Sequence, residues 1–518
     1  MQKTVYILIV LNLIIIPFQT FSQRFLERGD EAFLREQFKL AIDNYQKQFD
    51  RSEKSRKTRA EVSYKMALAY MKLSEPEKAI QHFQDALDYN YQDESLYFDL
   101  SEAHLQYEEF DNAITALETY KEKIPDDPRA DAAIERIHRT LVALEKPTNY
   151  QVKIFALINS GELDFCPFFG YKDYDKLYFT SSRSVLDNPD INLESGELFT
   201  DIYEIDRDRR TDAWSVPQKS LGRVNTEFDE GAASLNRRYN VLYFNRCEYD
   251  KSTDKGCRVY TAKRRSQHWT EVRELEIPGI PEDISIGHPA ISEDELTLYF
   301  VADSMLGGYG GKDIYKITRE RKSYDFGAPQ NLGPDINTVH DDCFPYIRSN
   351  GILYFSSNRK ESIGGLDLFK AKQLGPSSYD VESMGIPINS PADDFGIVFK
   401  DNQEEGFFTS RRRGGVGKSD IYQFVLPQLT AKITGTVWGK LNNEKLSDVH
   451  VSLLDQEGKE INIKKTNEFG EFEFDLDLDN IYQIYFEKEP YIPESIRVST
   501  KELDTPTTFK REVFLNGL

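Results

Sequence analysis

Leu177-Tyr-Phe-Thr-Ser-Ser-Arg183 decides the reading of this chain, because the same phrase is written five times. It returns as Leu242-Tyr-Phe-Asn-Arg-Cys-Glu248, Leu298-Tyr-Phe-Val-Ala-Asp-Ser304, Leu353-Tyr-Phe-Ser-Ser-Asn-Arg359 and Gly406-Phe-Phe-Thr-Ser-Arg-Arg412. Each copy has an echo: Asp201-Ile-Tyr203, Arg258-Val-Tyr260, Asp313-Ile-Tyr315, Asp367-Leu-Phe369 and Asp420-Ile-Tyr422. The steps between copies are 65, 56, 55 and 53 residues. A period of this size in strand-forming sequence predicts a radial β array with one blade per repeat.

Each unit reads as a strand approaching a Pro or small residue, the Leu-Tyr-Phe strand, the Asp-Ile-Tyr strand and an outer segment. Compare Asn331-Leu-Gly-Pro-Asp-Ile-Asn337 with Leu221-Gly-Arg-Val-Asn225 and Met384-Gly-Ile-Pro-Ile-Asn389. The fifth unit lacks that segment, while Val152-Lys-Ile-Phe-Ala-Leu-Ile-Asn-Ser160 stands in front of the first. Residues 150–160 are therefore expected to complete the last blade and close a propeller over residues 150–427. Closure would remove exposed sheet edges. Five blades are predicted, with six as the alternative.

The charges of the repeat suggest internal pairs. Arg183, Arg359 and Arg412 are each matched with an echo Asp: Asp201, Asp367 and Asp420. In the second unit the signs reverse together, Glu248 with Arg258, as a cross-strand ion pair allows. A ring of ligand-binding charges is the other reading. Acidic pairs recur at Asp229-Glu230, Asp341-Asp342 and Asp393-Asp394; capping or turn roles are expected, with a cation site at the ring mouth as the alternative. Gly307-Gly308, Gly364-Gly365 and Gly414-Gly415 read as turn glycines with positive φ.

From Arg24 to Lys146 the pattern is helical. Ala41, Ala79 and Ala113 are preceded at twelve residues by Gly29, Ala67 and Ser101, and followed at four by Tyr45, Phe83 and Leu117. This set resembles the tetratricopeptide repeat, with a capping helix over Arg129 to Leu144. The resemblance implies a groove faced by Tyr64, Leu68, Met71, Phe98, Glu102 and Leu105; the alternative is that several of these pack the next helix. From Leu429 to Leu518, strands at Ile433–Val437, Leu446–Leu454 and Tyr482–Phe486, with Thr466-Asn-Glu-Phe-Gly-Glu-Phe-Glu-Phe474, resemble the carboxypeptidase-regulatory-like, transthyretin-type β-sandwich. In that family the module is an accessory.

A formal net charge of -22 over 518 residues argues against a nucleic-acid partner. Lys3, an apolar run from Val5 to Ile16 broken only by Asn12, Pro17 and Thr20-Phe-Ser22 read as an export signal cut after Ser22. The run is short for a membrane span of about 20 residues, and no span is expected in the mature chain. In an oxidising compartment Cys247 and Cys257, flanking the polar turn from Glu248 to Gly256, would close a hairpin disulfide; two unpaired thiols are the alternative. Cys166 and Cys343 read as buried free thiols.

Catalytic motifs are missing. There is no Gly-x-Ser-x-Gly elbow, His-Glu-x-x-His or phosphate loop, and the seven histidines are scattered. No catalytic residue, cofactor or metal is assigned, and the chain is expected not to be an enzyme.

The order of modules resembles a family. An export signal, tetratricopeptide repeats, a WD40-like (TolB-like) propeller and a regulatory-like sandwich look like the PorE-type, OmpA-family envelope proteins of Bacteroidota. The resemblance implies a periplasmic, outer-membrane-associated scaffold that binds envelope proteins and serves type IX secretion or gliding-type machinery. The family usually continues into an OmpA-like domain that grips peptidoglycan. Here the chain ends at Leu518, so peptidoglycan binding is not expected from this chain alone. The alternative function is a propeller that binds a peptide, glycan or cell-wall fragment as a sensor or carrier.

Overall fold

The computed structural model describes residues 24–183, 191–192, 197–249 and 254–518. The export-signal reading, with its cleavage after Ser22, lies outside the described residues. No described helix is long and apolar enough to cross a membrane. The chain divides into two compact units: one holds the helices and residues 153–423, the other residues 147–152 and 424–518.

Among the described residues, seven helices open the first unit: α1 (Arg24–Leu34), α2 (Phe38–Arg51), α3 (Arg56–Lys72), α4 (Pro76–Asp88), α5 (Ser95–Gln106), α6 (Phe110–Lys123) and α7 (Pro128–Glu145). Pro76 and Pro128 sit in the first turns of α4 and α7, where the missing N–H is no loss. The repeated small residues are contact points between helices. Ala41, Ala67, Ala79 and Ala113 are fully buried. At Gly29 a Cβ would fall 2.4 Å from the Tyr45 ring, so the α1–α2 approach needs glycine there.

An all-β region of small sheets follows. After β1 (Gln151–Ile154) come β2 (Asp164–Phe169), β3 (Lys176–Ser181), β4 (Asp201–Asp206) and β5 (Gln218–Lys219), paired in that order. The second sheet is β6 (Asp229–Leu235), β7 (Val241–Tyr249), β8 (Asp254–Arg265) and β9 (His268–Glu274). The third is β10 (Ile286–Ile291), β11 (Thr297–Asp303), β12 (Lys312–Thr318) and β13 (Gln330–Asn331). The fourth is β14 (Asp342–Ile347), β15 (Leu353–Ser357), β16 (Asp367–Gly375) and β17 (Ser378–Ser383). The fifth runs β18 (Asp394–Phe399), β19 (Glu405–Ser410), β20 (Asp420–Val425), and its fourth strand is β1. No single sheet closes on itself among the described residues.

The repeated phrase forms the second strand of each sheet. Its third residue, Phe179, Phe244, Phe300, Phe355 or Phe408, is fully buried, as is the Ile, Val or Leu of every echo. Such strands are covered on both faces, which explains an apolar run rather than an alternation. The first strands neighbour one another in the order β2, β6, β10, β14, β18 and back to β2. All five carry a bulge at one place, centred on a left-handed residue: Cys166 (φ 48°), Ala232 (φ 41°), His288 (φ 49°), Phe344 (φ 51°) and Gly396 (φ 61°). Cys166 and Cys343 are both buried thiols, but they are not equivalent: Cys166 is the left-handed residue and Cys343 precedes one.

The second unit holds β21 (Ala431–Gly439), β22 (Glu444–Lys445), β23 (His450–Leu454), β24 (Glu460–Lys465), β25 (Glu471–Leu476), β26 (Ile481–Glu487), β27 (Glu494–Ser499) and β28 (Thr507–Leu515). One sheet joins β22, β21, β25 and β28, with β28 parallel to β21; the other runs β24-β23-β26-β27. Both sheets contribute to one core that includes Ile433, Val451, Phe474, Ile484 and Val513. The Thr-x-x-x-Gly segment has a local reason. Thr466 is buried, accepts from Val449 N at 3.0 Å and donates to the Leu446 carbonyl at 2.6 Å, while Gly470 turns with φ 71°.

Candidate functional site

The repeated charges make joints between sheets, with partners other than those the sequence suggests. Arg183 pairs with Asp164, Arg359 with Asp342 at 3.0 Å and Arg412 with Asp394 at 2.7 Å. Asp201, Asp367 and Asp420 are not their partners. Asp164 and Asp201 lie opposite the same residue, Ser181, on its two sides. Ser181 is the last ladder residue, opposite Asp201. Arg183 lies two positions beyond it and turns back to the first strand of its own sheet. Each guanidinium also donates to a buried carbonyl of the preceding linker: Ile158, Ile336 or Ile388.

The sign reversal in the second unit is likewise not a pair. Glu248 accepts from the Tyr260 hydroxyl at 3.1 Å, and Arg258 faces Glu274 at 3.7 Å and the carbonyls of Ile284 and Glu282. The equivalent joint there is Arg246 to Glu230 at 2.8 Å, with the arginine two positions earlier and the acid one carbon longer. In the third unit both partners are gone together: Ile286 replaces the acid and Ser304 the arginine. A buried carboxylate without its cation is costly, so the two are lost as a set.

The second acid of each acidic pair belongs to these joints. Asp342 also accepts from Thr338 N at 2.6 Å, and Asp394 from Ser390 N at 2.6 Å. Burial raises both carboxyl groups and pushes Glu230 up to about 7. The first acids cap neighbouring strands: Asp229 accepts from Thr200 N at 2.7 Å, Asp341 from Lys312 N at 3.0 Å and Asp393 from Leu366 N at 2.9 Å. The echo carboxylates sit inside the glycine turns. Asp420 accepts from Val416 N at 2.7 Å, and Asp313 from Tyr309 N at 2.6 Å. Of the six turn glycines, Gly307 and Gly414 have positive φ and Gly308, Gly364, Gly365 and Gly415 do not; Gly415 is needed for space, since a Cβ would lie 2.0 Å from Asp420 Oδ2.

Two further ties repeat. An asparagine side chain brackets the buried echo residue, accepting its N–H and donating to its carbonyl. Asn225 does this for Ile202, Asn337 for Ile314, Asn389 for Leu368 and Asn159 for Ile421. Three of the five left-handed bulge residues are held by the fourth residue of the phrase in the preceding sheet. Thr180 Oγ1 accepts from Ala232 N at 3.0 Å, Asn245 Oδ1 from His288 N at 2.8 Å and Thr409 Oγ1 from Cys166 N at 2.9 Å. Val301 cannot accept, and Phe344 N instead donates to His288 Nδ1 at 3.3 Å. That leaves the imidazole proton on Nε2, and burial lowers the histidine to about 3, so it is neutral.

Cys247 and Cys257 lie directly opposite on β7 and β8 and are joined as a disulfide. Part of the turn between them, residues 250–253, lies outside the described residues.

The six residues expected in the helical groove largely pack the next helix. Leu105 is buried in the core beside Leu117 and Ile137. Tyr64 donates to Asp99 on α5 at 2.6 Å, Glu102 pairs with Arg136 on α7, and Phe98 lies under the Arg129 guanidinium at 5.0 Å. Leu68 and Met71 are half-buried against the cluster around Phe83. The helix-to-helix contacts Lys65–Asp30, Tyr64–Asp99 and Arg136–Glu102 give each step from α1 to α3, α5 and α7 one polar tie.

Within the same compact unit the helices are fixed to the loops of the fourth and fifth sheets. Thr140 Oγ1 donates to the Ile363 carbonyl at 2.8 Å, and Arg139 to that of Lys360 at 2.8 Å. Ser74 meets Asp393 and Arg411, and the Arg413 guanidinium lies 4.6 Å from the Tyr107 ring centre. These contacts lie where the first strands begin. At their far ends opens a cavity of about 220 Å³ in the middle of the five first strands. Cys166, Ala232, His288, Phe344 and Gly396 line it, with Tyr174, Tyr239, Glu293 and Asp401 in its outer part. The sequence reading missed this cavity. Its signal was the Pro or small residue in each first strand.

No group of three or more metal-binding side chains occurs among the described residues. Residues 70–137 match the tetratricopeptide repeat family. A comparison with curated proteins finds no match. Among solved structures, the chain is similar to the C-terminal TPR-containing domain of a Plasmodium falciparum FK506-binding protein, at 18% identity, covering 24% of this chain and 91% of that one, TM-score 0.23. The Arabidopsis OM64 TPR domain is similar at 18% identity over 23% of this chain and 94% of its own, TM-score 0.21. The second TPR domain of human RPAP3, in complex with the HSP70 peptide SGPTIEEVD, is similar at 18% identity over 23% and 97%, TM-score 0.22. By the family match over residues 70–137 the chain contains tetratricopeptide repeats, and a large all-β region follows them. Such repeats generally mediate protein–protein interaction and peptide binding.

Proposed function

We propose that this chain is a non-enzymatic scaffold of the bacterial periplasm, associated with the outer membrane and binding envelope proteins, with a role in type IX secretion or gliding-type machinery. In this reading the five sheets are the blades of a five-bladed propeller. The cyclic order of first strands, and β1 as fourth strand of the last sheet, support that. The observation that carries the scaffold reading is the fixing of the helical repeats to the β region through Thr140, Arg139 and Ser74. Two modules of the binding type held in one compact unit present fixed surfaces to partners. The export-signal pattern and the Cys247–Cys257 disulfide support an oxidising compartment. The resemblance in module order supports the envelope assignment.

Affinity capture from envelope extracts tests it. Outer-membrane proteins recovered by the intact chain, and lost with a Thr140→Arg variant that separates helices from sheets, are the expected result. Recovery of none, with saturable binding of muropeptides, would favour the second reading, a propeller that carries or senses cell-wall fragments; the central cavity is the observation behind it.

A further inference from the structure

The cavity between the first strands has apolar walls and a polar, aromatic rim. Phe168, Ala233, Ala290 and Ile397 are among its wall residues. Its 220 Å³ is smaller than the roughly 300–1,000 Å³ of sites for whole cofactors or drug-sized ligands. It has room for one large side chain.

The rim is built in an unusual way. Tyr174 and Tyr239 occupy the same turn position, three residues before the Leu of the repeated phrase, and both are left-handed, with φ 57° and 54°. Left-handed turn positions ordinarily go to Gly, Asn or Asp. Both rings are half-buried and line the cavity with Asp401. The basic side chains that line the cavity, Arg237 and Arg348, are already matched, as are Lys400 and Arg209 nearby. Arg237 pairs with Glu293 at 3.1 Å, Arg348 with Glu404 at 2.6 Å, Lys400 with Glu405 at 2.7 Å, and Arg209 with Asp173 and Asp175. Asp401 is exposed and makes no ion pair with any described residue within 4.0 Å. Lys400 already lies 5.9 Å from the Tyr174 ring centre, and the Tyr239 face beside the Asp401 carboxylate favours a further cation. The net charge of -22 favours encounter with basic partners.

We propose that this cavity is a socket for a loop of a basic partner protein: one aromatic or large aliphatic side chain enters it, and an adjacent Lys or Arg meets Asp401, Tyr174 and Tyr239 at the rim. The inference rests on the scaffold reading and names the chemistry of the partner.

The test uses the full chain and three capped synthetic peptides, KWKK, KGKK and EWEE, in titration calorimetry. The socket predicts saturable binding of KWKK and at least tenfold weaker binding of the other two. Asp401→Lys, an exposed change outside every sheet, is expected to weaken KWKK at least tenfold, and Ala233→Phe, which fills the cavity, to abolish it. If Ala233→Phe fails to fold, Asp401→Lys carries the test alone. Absence of saturable KWKK binding overturns the socket. So does equal binding of KGKK or EWEE, an unchanged affinity in Asp401→Lys, or displacement of KWKK by muropeptides at lower concentration. Envelope capture with Asp401→Lys separates the two readings. Partners retained while KWKK shows no selectivity would leave the scaffold and remove the socket. Selective KWKK binding by a chain that captures no envelope protein would leave the socket and remove the scaffold.

Discussion

The side chain of Asn159 brackets the backbone of Ile421: its Oδ1 accepts the Ile421 N–H at 2.8 Å, and its Nδ2 donates to the Ile421 carbonyl at 3.0 Å, across 262 positions of sequence. The same bracket within the repeats spans 21 or 23 positions. Asn159 is the fourth copy of one device, displaced to the front of the chain. Ile158 is fully buried, and Asp164 Oδ2 accepts from the Ser160 N–H and hydroxyl.

Asn159→Ala leaves the buried Ile421 N–H without its partner, while the Ile421 carbonyl still accepts from Phe155 N. It should lower the stability of the first unit by about 1–3 kcal/mol, the cost of one such group. Urea unfolding followed by tryptophan fluorescence checks this. Asn337→Ala should cost a similar amount, because it breaks the same bracket within one repeat.

The arginine joints make a sharper claim about partners. Arg359→Ala strips the cation from buried Asp342 and should cost about 3–5 kcal/mol. Adding Asp342→Ile should recover a large part, because the pair Ile286 and Ser304 shows that the site tolerates loss of both. A double-mutant cycle should find strong coupling of Arg359 to Asp342 and little to Asp367.

Glu230 sets a pH dependence. Burial raises its carboxyl from the ordinary 4.5 to about 7. The folded state therefore holds this proton more tightly than the unfolded state. The contribution is fully present below about pH 4.5 and is lost as the pH rises through about 7. Glu230→Gln should remove this part of the pH dependence. Denaturant unfolding of both proteins at pH 5 and pH 7.5 is the measurement, and a larger loss in the wild type is the expected result.

The Cys247–Cys257 bond closes a short loop, with a sequence separation of 10. Loop entropy at that length is worth about 2–3 kcal/mol. Replacing both cysteines by serine should lower stability by that amount while leaving the spectrum of the folded protein unchanged. Thermal unfolding with and without reductant would show the same difference in the wild type and none in the variant.

Much of this fold was legible because repetition exposes it. Leu-Tyr-Phe recurs since both faces of the second strand are buried, and Asp-Ile-Tyr since its Ile is bracketed and its Asp holds a turn. The extra strand β1, Gln151–Ile154, followed from counting segments, which places it within residues 150–160. The arginine partners were not legible. Sequence spacing suggested the echo strand, but Arg183, Arg359 and Arg412 lie beyond the ladder, and Asp164, Asp342 and Asp394 on the first strand stand opposite the same serines from the other side. The cavity was hidden as well. Its lining comes from five bulges far apart in sequence, at residues as unlike as Cys166, His288 and Gly396. In the helices, the repeat told which residues are small, but not that Tyr64 and Glu102 spend their polar atoms on the next helix.

The central tie is the bracket by which Asn159, ahead of the first sheet, holds Ile421 in the last repeat. Amide hydrogen exchange at Ile421, compared between wild type and Asn159→Ala, tests it most directly. The account predicts that the Ile421 amide is among the most protected in the wild type. In the variant it should exchange much faster, while those of Ile202, Ile314 and Leu368 keep their protection. An Ile421 amide that exchanges rapidly in the wild type, or is unchanged in the variant, would contradict it.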